Sequence, residues 1–256
     1  MGQVHWNQQT GMGKNKGADK RNVDQGKTRK YHRKGSLVMA LITDKFIFVH
    51  IPKTGGTWIR RSLEALGIAG KENAEPYSFH EHDGIFRVPY ELRYSRPAFA
   101  IVRHPVTRLA SLWSWAMLTN FNDKIDSEPA AAGHWFAECW SKDYEEFVVK
   151  YLLIHPGLIT QITLSMLGYY QKAPGLWRPS KFKVDFIGKF ETLEADFIKF
   201  LKELARLEID EAKIKAVSPQ RVGASGPLKD NAQIPNGLRH RILEAERELC
   251  DEFDYI

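Results

Sequence analysis

The stretch His-Ile-Pro-Lys-Thr-Gly-Gly-Thr-Trp at 50–58 combines residue types that can bind a phosphate group. Gly55 and Gly56 let the backbone pass close to a ligand, and Lys53 supplies a cation beside them. If a helix follows, its first backbone N–H groups and its dipole also favour an anion. The lysine precedes the glycines, whereas the loop of ATPases and kinases, G-x-x-x-x-G-K-[ST], places it after them. We therefore predict a P-loop-like phosphate site that differs from the standard nucleoside-triphosphate loop.

A second candidate phosphate ligand is Arg103, which follows the apolar run at 98–102. Ser111 comes eight residues later, two turns into a predicted helix, on the side that faces back toward the end of the run. A hydrogen bond between a charged arginine and a phosphate contributes about 1.5–3 kcal/mol. Both segments follow predicted strands, and open α/β sheets bind ligands at the carboxyl ends of their strands. We therefore expect the two segments to bind one phosphorylated ligand.

Two histidines, His80 and His82, lie between these segments in the stretch Phe-His-Glu-His-Asp at 79–83. A histidine with an ordinary pKa of about 6.5 can accept a proton from a hydroxyl at neutral pH. An extended backbone places both imidazoles on one face, since its side chains alternate. The alternative interpretation is a pair of surface histidines in a loop. Metal binding is not favoured, because the stretch lacks a binuclear hydrolase motif and has no cysteine nearby.

The segment 51–57 resembles the 5'-phosphosulfate loop of sulfotransferases that use 3'-phosphoadenylyl sulfate (PAPS), and the segment 102–111 resembles their 3'-phosphate motif. The likeness is to the carbohydrate branch, closest to the heparan sulfate 2-O-type and bacterial enzymes. It extends over roughly residues 45–256, although only the two loops are specific. It implies transfer of a sulfuryl group to a hydroxyl of a glycan, glycolipid or other carbohydrate-like acceptor. PAPS is then the donor, adenosine 3',5'-bisphosphate the product, and no metal is needed.

The resemblance also assigns roles to single residues. Lys53 is expected to contact the phosphosulfate bridge and neutralise the leaving phosphate, and Trp58 to stack on adenine. The His-x-His spacing is similar to that of uronyl 2-O-sulfotransferases, which implies His82 as the general base and His80 as an acceptor contact or alternative base. The expected phosphate ligands are Thr54, Gly55, Gly56 and Thr57 for the 5'-phosphate, and Arg103 and Ser111 for the 3'-phosphate. The roles of three basic residues stay open, namely Arg108, Arg221 and Lys229.

Strands and helices alternate along the chain. The predicted strands are short apolar runs, typical of strands that are covered on both faces, at 46–49, 98–102 and 184–188. Each is followed by a helical pattern, the third with Thr192 as its N-cap. A last helix is predicted over 238–253. This alternation predicts an α/β fold, a three-layer sandwich around a central parallel sheet.

Composition indicates one domain preceded by a basic tail. The chain has 256 residues, of which 43% are hydrophobic, enough for one substantial core, assigned to 36–256. Residues 1–35 hold nine lysines and arginines against two aspartates, and they are expected to be disordered. This tail is interpreted as a solvated extension or as a weak contact with an anionic surface. Because no apolar run is long enough for a membrane span or a signal peptide, the predicted location is cytoplasmic.

Two other functions remain open from the sequence. The first is a nucleotide kinase or NTPase with an unusual phosphate loop. The second is a non-catalytic nucleic-acid-binding protein that uses the basic tail. On the acceptor side, the aromatic-rich segment 113–140 offers surface that could stack on sugar rings, although core packing is the better interpretation of Trp113. The oligomeric state is not indicated.

Overall fold

A computed structural model of the chain describes residues 40–68, 84–118, 134–173, 176–179, 183–217 and 234–256. The predicted tail, both candidate base histidines and the basic residues Arg221 and Lys229 lie outside these ranges.

The central sheet contains four strands in the order β1-β2-β3-β6. They are β1 (Ala40–Ile42), β2 (Ile47–Val49), β3 (Ala98–Val102) and β6 (Phe186–Lys189). The last three strands run parallel, so their carboxyl ends meet at one edge of the sheet. The prediction of a wholly parallel sheet is wrong at β1, which pairs antiparallel with β2. Only a turn separates these two strands, and so short a connection can only reverse the chain direction.

Consecutive residues of the central strands face opposite sides of the sheet. Val49 and Ala100 belong to one hydrophobic cluster, whereas Phe48 and Phe99 belong to another. The rings of these two phenylalanines stack with centroids 4.7 Å apart. Because both faces are buried under helices, the predicted three-layer α/β sandwich is confirmed.

Ten α-helices lie within the described ranges. They are α1 (Gly56–Leu66), α2 (Tyr90–Ser95), α3 (Pro105–Leu118), α4 (His134–Cys139), α5 (Tyr144–Ile154), α6 (Leu158–Leu167), α7 (Leu193–Lys199), α8 (Glu211–Ala216), α9 (Asn236–Ala245) and α10 (Arg247–Glu252). The first, seventh and eighth cover the face that carries Phe48, and most of the others cover the opposite face. A short hairpin of β4 (Tyr170–Ala173) and β5 (Leu176–Pro179) forms a separate sheet.

Two helix predictions need correction. Thr192 precedes α7 as expected, but its hydroxyl donates to Asp196 Oδ2 at 2.6 Å and does not cap the helix. The helix predicted over 238–253 is divided into α9 and α10 at Glu246. The backbone leaves the helical conformation there, and the Glu246 side chain is fully buried among polar partners.

No single helix among the described residues combines the length and the apolar character that crossing a membrane requires. Helices α5 and α6 meet the criterion only when taken together, and a bend of 72° separates them.

Candidate active site

The loop between β2 and α1 is a tight turn at the carboxyl edge of the sheet. The backbone of Gly55 has φ of 97°, in the left-handed region, and its carbonyl accepts from the Trp58 N–H at 2.9 Å. Lys53 also has a left-handed backbone, with φ of 66°. Thr54 is buried, and its hydroxyl donates to the carbonyl of Ile51 at 2.8 Å. That hydroxyl proton is thus engaged within the loop, whereas the predicted ligand Thr57 is exposed at the start of α1.

The two glycines of the loop are required by the packing around it. A Cβ atom at Gly56 would lie 2.0 Å from Cδ2 of His50, and one at Gly55 would lie 2.9 Å from Cδ2 of Leu193. Real Cβ atoms do not approach other heavy atoms so closely. The glycine pair therefore allows the loop to lie directly against the His50 imidazole and the start of α7.

Arg103 joins this loop to the end of the neighbouring strand β3. Its Nη1 donates to the carbonyl of Lys53 at 3.1 Å, and its Nε donates to Thr107 Oγ1 at 3.0 Å. The guanidinium carbon lies 4.0 Å from the ring centroid of Phe190, which follows β6. Burial lowers the pKa of Arg103 to about 10, although the nearby carboxylate of Glu191 opposes this effect. The structure thus brings the two predicted phosphate segments together, around a cation that has lost much of its hydration.

Helix α3 presents one face to the same loop. Arg108 Nε donates to the carbonyl of Pro52 at 3.2 Å, and the Lys53 ammonium lies 5.5 Å from the ring centroid of Trp115. Ser111 lies between these two contacts at helical spacing, so it belongs to the same face of the helix. Its side chain is buried.

Trp58 occupies a different environment from the one predicted. Only 2% of its surface is exposed, and its ring packs edge-on against Phe197. The indole N–H donates to the carbonyl of Val217 at 2.5 Å. Stacking on adenine requires an accessible ring face, and this conformation offers none. Trp58 is a core residue in this structure, and its stacking on adenine stays a prediction from the sequence.

Glu191 and Tyr255 belong to the site but had no such role in the sequence interpretation. Glu191 accepts from the backbone N–H of His104 and from the Tyr255 hydroxyl, each at 3.1 Å. The Tyr255 ring packs edge-on against the His104 imidazole. Burial, with a contribution from Arg239, lowers the pKa of His104 below its ordinary value. Glu191 lies three residues after the predicted strand at 184–188, whereas nothing in the sequence pointed to Tyr255.

Positive charge dominates this edge of the sheet. Lys53, Arg103 and Arg108 surround the loop, and two carboxylates oppose them among the described residues: Glu191 acts on Arg103 and Glu246 on Arg108. Such a surplus of buried or half-buried cations is stabilised by an anionic ligand. The candidate base residues His80 and His82 lie outside the described residues, so their role stays a prediction.

Comparison with known proteins gave two matches. Residues 39–245 match the model of a group described as the sulfotransferase family, a range that includes both loops. Human carbohydrate sulfotransferase 9 is 25% identical over 239 residues, which cover 83% of this chain and 49% of that protein. The chain therefore spans about half the length of this curated relative. No solved structure gave a significant match.

The comparison overturns one prediction. The cytoplasmic location expected from the sequence is contradicted by the likeness to human carbohydrate sulfotransferase 9. The cytoplasmic prediction is therefore wrong. It was based only on the lack of a long apolar run in the sequence.

Proposed function

The chain belongs to the sulfotransferase family, and from this premise we propose that it transfers a sulfuryl group from PAPS to a hydroxyl of a carbohydrate acceptor. The observation that carries the proposal is the 3.1 Å hydrogen bond from Arg103 to the backbone of Lys53. It joins the two strand ends, which supports a single site for both phosphates of one adenosine nucleotide.

In the proposed donor complex, the β2–α1 loop binds the 5'-phosphosulfate. The start of α1 supplies backbone N–H groups, the helix dipole and the Thr57 hydroxyl. Arg103 and Ser111 bind the 3'-phosphate from the neighbouring strand end. Arg103 is suited to this role because its guanidinium is already buried and held by hydrogen bonds. Little conformational entropy is therefore lost when the phosphate binds.

The transfer is proposed to be in line. The acceptor oxygen forms a bond to sulfur while the bond between sulfur and the bridging phosphate oxygen breaks. Lys53 neutralises the negative charge that develops on the departing oxygen, a contribution made mainly in the transition state. The hydroxyl proton passes to His82, with His80 as an acceptor contact or the alternative base. The products are a sulfate ester and adenosine 3',5'-bisphosphate.

A carbohydrate acceptor is supported by the name of the human relative and by one surface feature. Trp115 is 40% exposed although it is a large aromatic residue, and its ring lies beside the Lys53 ammonium. A sugar that reacts at sulfur must approach Lys53, and the apolar C–H face of a pyranose can pack on an indole ring. Trp113, in contrast, is buried and its indole donates to the carbonyl of Ser141.

The proposal is tested by transfer of radiolabelled sulfate from PAPS to a panel of glycans, glycolipids and small alcohols. Lys53→Met should lower kcat by about 100-fold or more, since removal of a charge-stabilising group has effects of that order. Lys45→Met is the matched control, because Lys45 is exposed in the turn before β2, at the opposite edge of the sheet. Transfer only to non-carbohydrate alcohols would refute the acceptor class. An equal loss of kcat in Lys53→Met and Lys45→Met would refute the role of Lys53.

A further inference from the structure

Arg108 is a buried cation whose hydrogen bonds are made to protein groups. Only 3% of its surface is exposed, and burial lowers its pKa to about 10. Its Nε donates to the carbonyl of Pro52 at 3.2 Å, and its Nη1 donates to Thr163 Oγ1 at 2.5 Å. The Thr163 hydroxyl in turn donates to the carbonyl of Ile159, one turn earlier in α6. The side chain thus connects the β2–α1 loop with helix α6.

A buried carboxylate lies at the other end of the same connection. Glu246, fully buried at the break between α9 and α10, accepts from the backbone N–H of Thr160 at 2.7 Å and from its hydroxyl at 2.6 Å. It also accepts from the Tyr151 hydroxyl, which accepts from the N–H of Ile159. Two otherwise unpaired amides in the first turn of α6 are satisfied in this way. A negative charge at this end of a helix is also favoured by the helix dipole.

The two charges depend on each other. The field of Glu246 favours the charged form of Arg108, whereas burial and the neighbouring Arg103 oppose it. A buried cation without a counter-charge is strongly unfavourable, and removal of one partner leaves the other uncompensated. Thr160 and Thr163 lie on the same turn of α6, so this helix holds the carboxylate and the guanidinium at a fixed separation.

The loop has a conformation that needs such support. The left-handed backbone of Lys53 is unfavourable for any residue with a Cβ atom. The carbonyls on either side of it are each held by an arginine: Pro52 by Arg108 and Lys53 by Arg103. Strained backbone of this kind persists where the surroundings over-determine it.

We propose that Arg108 is a positioning residue for the donor loop, with Glu246 as its fixed counter-charge, and that Arg108 does not itself bind a phosphate. The pair fixes the Pro52–Lys53 peptide and thereby the point at which the lysine side chain leaves the loop. The part of this inference that concerns the donor rests on the proposed function.

Thr163 provides a sharp test, because valine has the same shape without the hydroxyl and serine keeps the hydroxyl. Calorimetry measures the affinities for adenosine 3',5'-bisphosphate and adenosine 5'-monophosphate in each variant. Thr163→Val should weaken both by roughly tenfold, the effect of losing one charge-assisted bond, so their ratio stays unchanged. Thr163→Ser should stay within about twofold of the wild type. Glu246→Gln keeps the shape of the side chain and removes its charge. It should weaken both affinities about as much as Thr163→Val does.

Two results would overturn the inference. A lower melting temperature with unchanged affinities would make the network merely structural. A collapse of the affinity ratio in Arg108→Lys would make Arg108 a direct ligand of the 3'-phosphate.

Hydrogen exchange of the ligand-free protein separates this inference from the proposed function. Amides of residues 53–57 should exchange faster in Thr163→Val than in Thr163→Ser, whether or not any nucleotide binds. Equal exchange in the two variants contradicts the inference. Failure of the wild-type protein to bind the bisphosphate contradicts the proposed function alone.

Discussion

Replacement of Gly56 by alanine probes the packing that shapes the donor loop. The added Cβ would lie 2.0 Å from Cδ2 and 2.1 Å from Nε2 of His50. Carbon atoms in contact are normally about 3.5–4.0 Å apart, so the imidazole must move by about 1.5 Å or the loop must shift. His50 is buried and stacks on Phe48 with centroids 5.7 Å apart, which leaves the ring little room to move.

The expected cost follows from two opposing effects. Overpacking of a filled core usually destabilises a protein by about 1–3 kcal/mol. Alanine is favoured over glycine by about 1 kcal/mol inside a helix, and by less at the first position, where Gly56 lies. We therefore expect Gly56→Ala to lower the free energy of unfolding by about 1–2 kcal/mol. Bisphosphate affinity should fall as well, because the displaced segment is the proposed phosphate loop.

Urea denaturation and calorimetry measure the two effects. Gly237→Ala is the control, since a Cβ at that position in α9 meets nothing within 4 Å. It should be neutral or slightly stabilising. The double variant His50→Ala/Gly56→Ala should recover part of the loss, because the clashing ring is gone. Wild-type stability and affinity in Gly56→Ala would refute the reasoning.

Three further predictions concern the residues around the loop. Trp58→Phe should lower stability by about 1–2 kcal/mol through loss of a buried hydrogen bond, with bisphosphate affinity almost unchanged in calorimetry; a large affinity loss at unchanged stability would restore the stacking role. Trp115→Ala should raise the acceptor KM by roughly tenfold and leave the PAPS KM unchanged in transfer assays, since only the sugar packs on this ring. His80→Ala/His82→Ala should lower kcat by about 100-fold or more with donor affinity retained, whereas the exposed control His240→Ala should be active. Full activity of the double variant would remove both histidines from the mechanism.

The paired phosphate segments could be predicted because the rule behind them is general. Apolar runs at 46–49 and 98–102 indicated covered parallel strands, and the carboxyl ends of such strands lie side by side. That rule predicted the meeting of Lys53 and Arg103 without any knowledge of side-chain contacts. The glycine pair indicated a close approach, but the groups approached, His50 and Leu193, could only be seen in the folded chain.

Other features depend on contacts between distant segments. The break at Glu246 arises where a carboxylate is buried against Tyr151 and Thr160, and a local apolar pattern carries no trace of such partners. Trp58 has the position of a motif residue, yet it packs against Phe197 far along the chain. Strand β1 was missed although it lies at the end of an apolar stretch of sequence, Leu-Val-Met-Ala-Leu-Ile at 37–42, because that stretch directly follows the basic tail and was not assigned to any element.

Calorimetric titration of the wild-type protein and of Arg103→Met is the most direct test of whether the two strand ends bind one nucleotide. Wild type should bind adenosine 3',5'-bisphosphate at least tenfold tighter than ATP or adenosine 5'-monophosphate, since the 3'-phosphate adds a charge-assisted contact of about 1.5–3 kcal/mol. Arg103→Met should lose most of this preference, because Ser111 alone then remains to bind the 3'-phosphate. ATP binding as tight as that of the bisphosphate, or an undiminished preference in Arg103→Met, would contradict the proposed donor site.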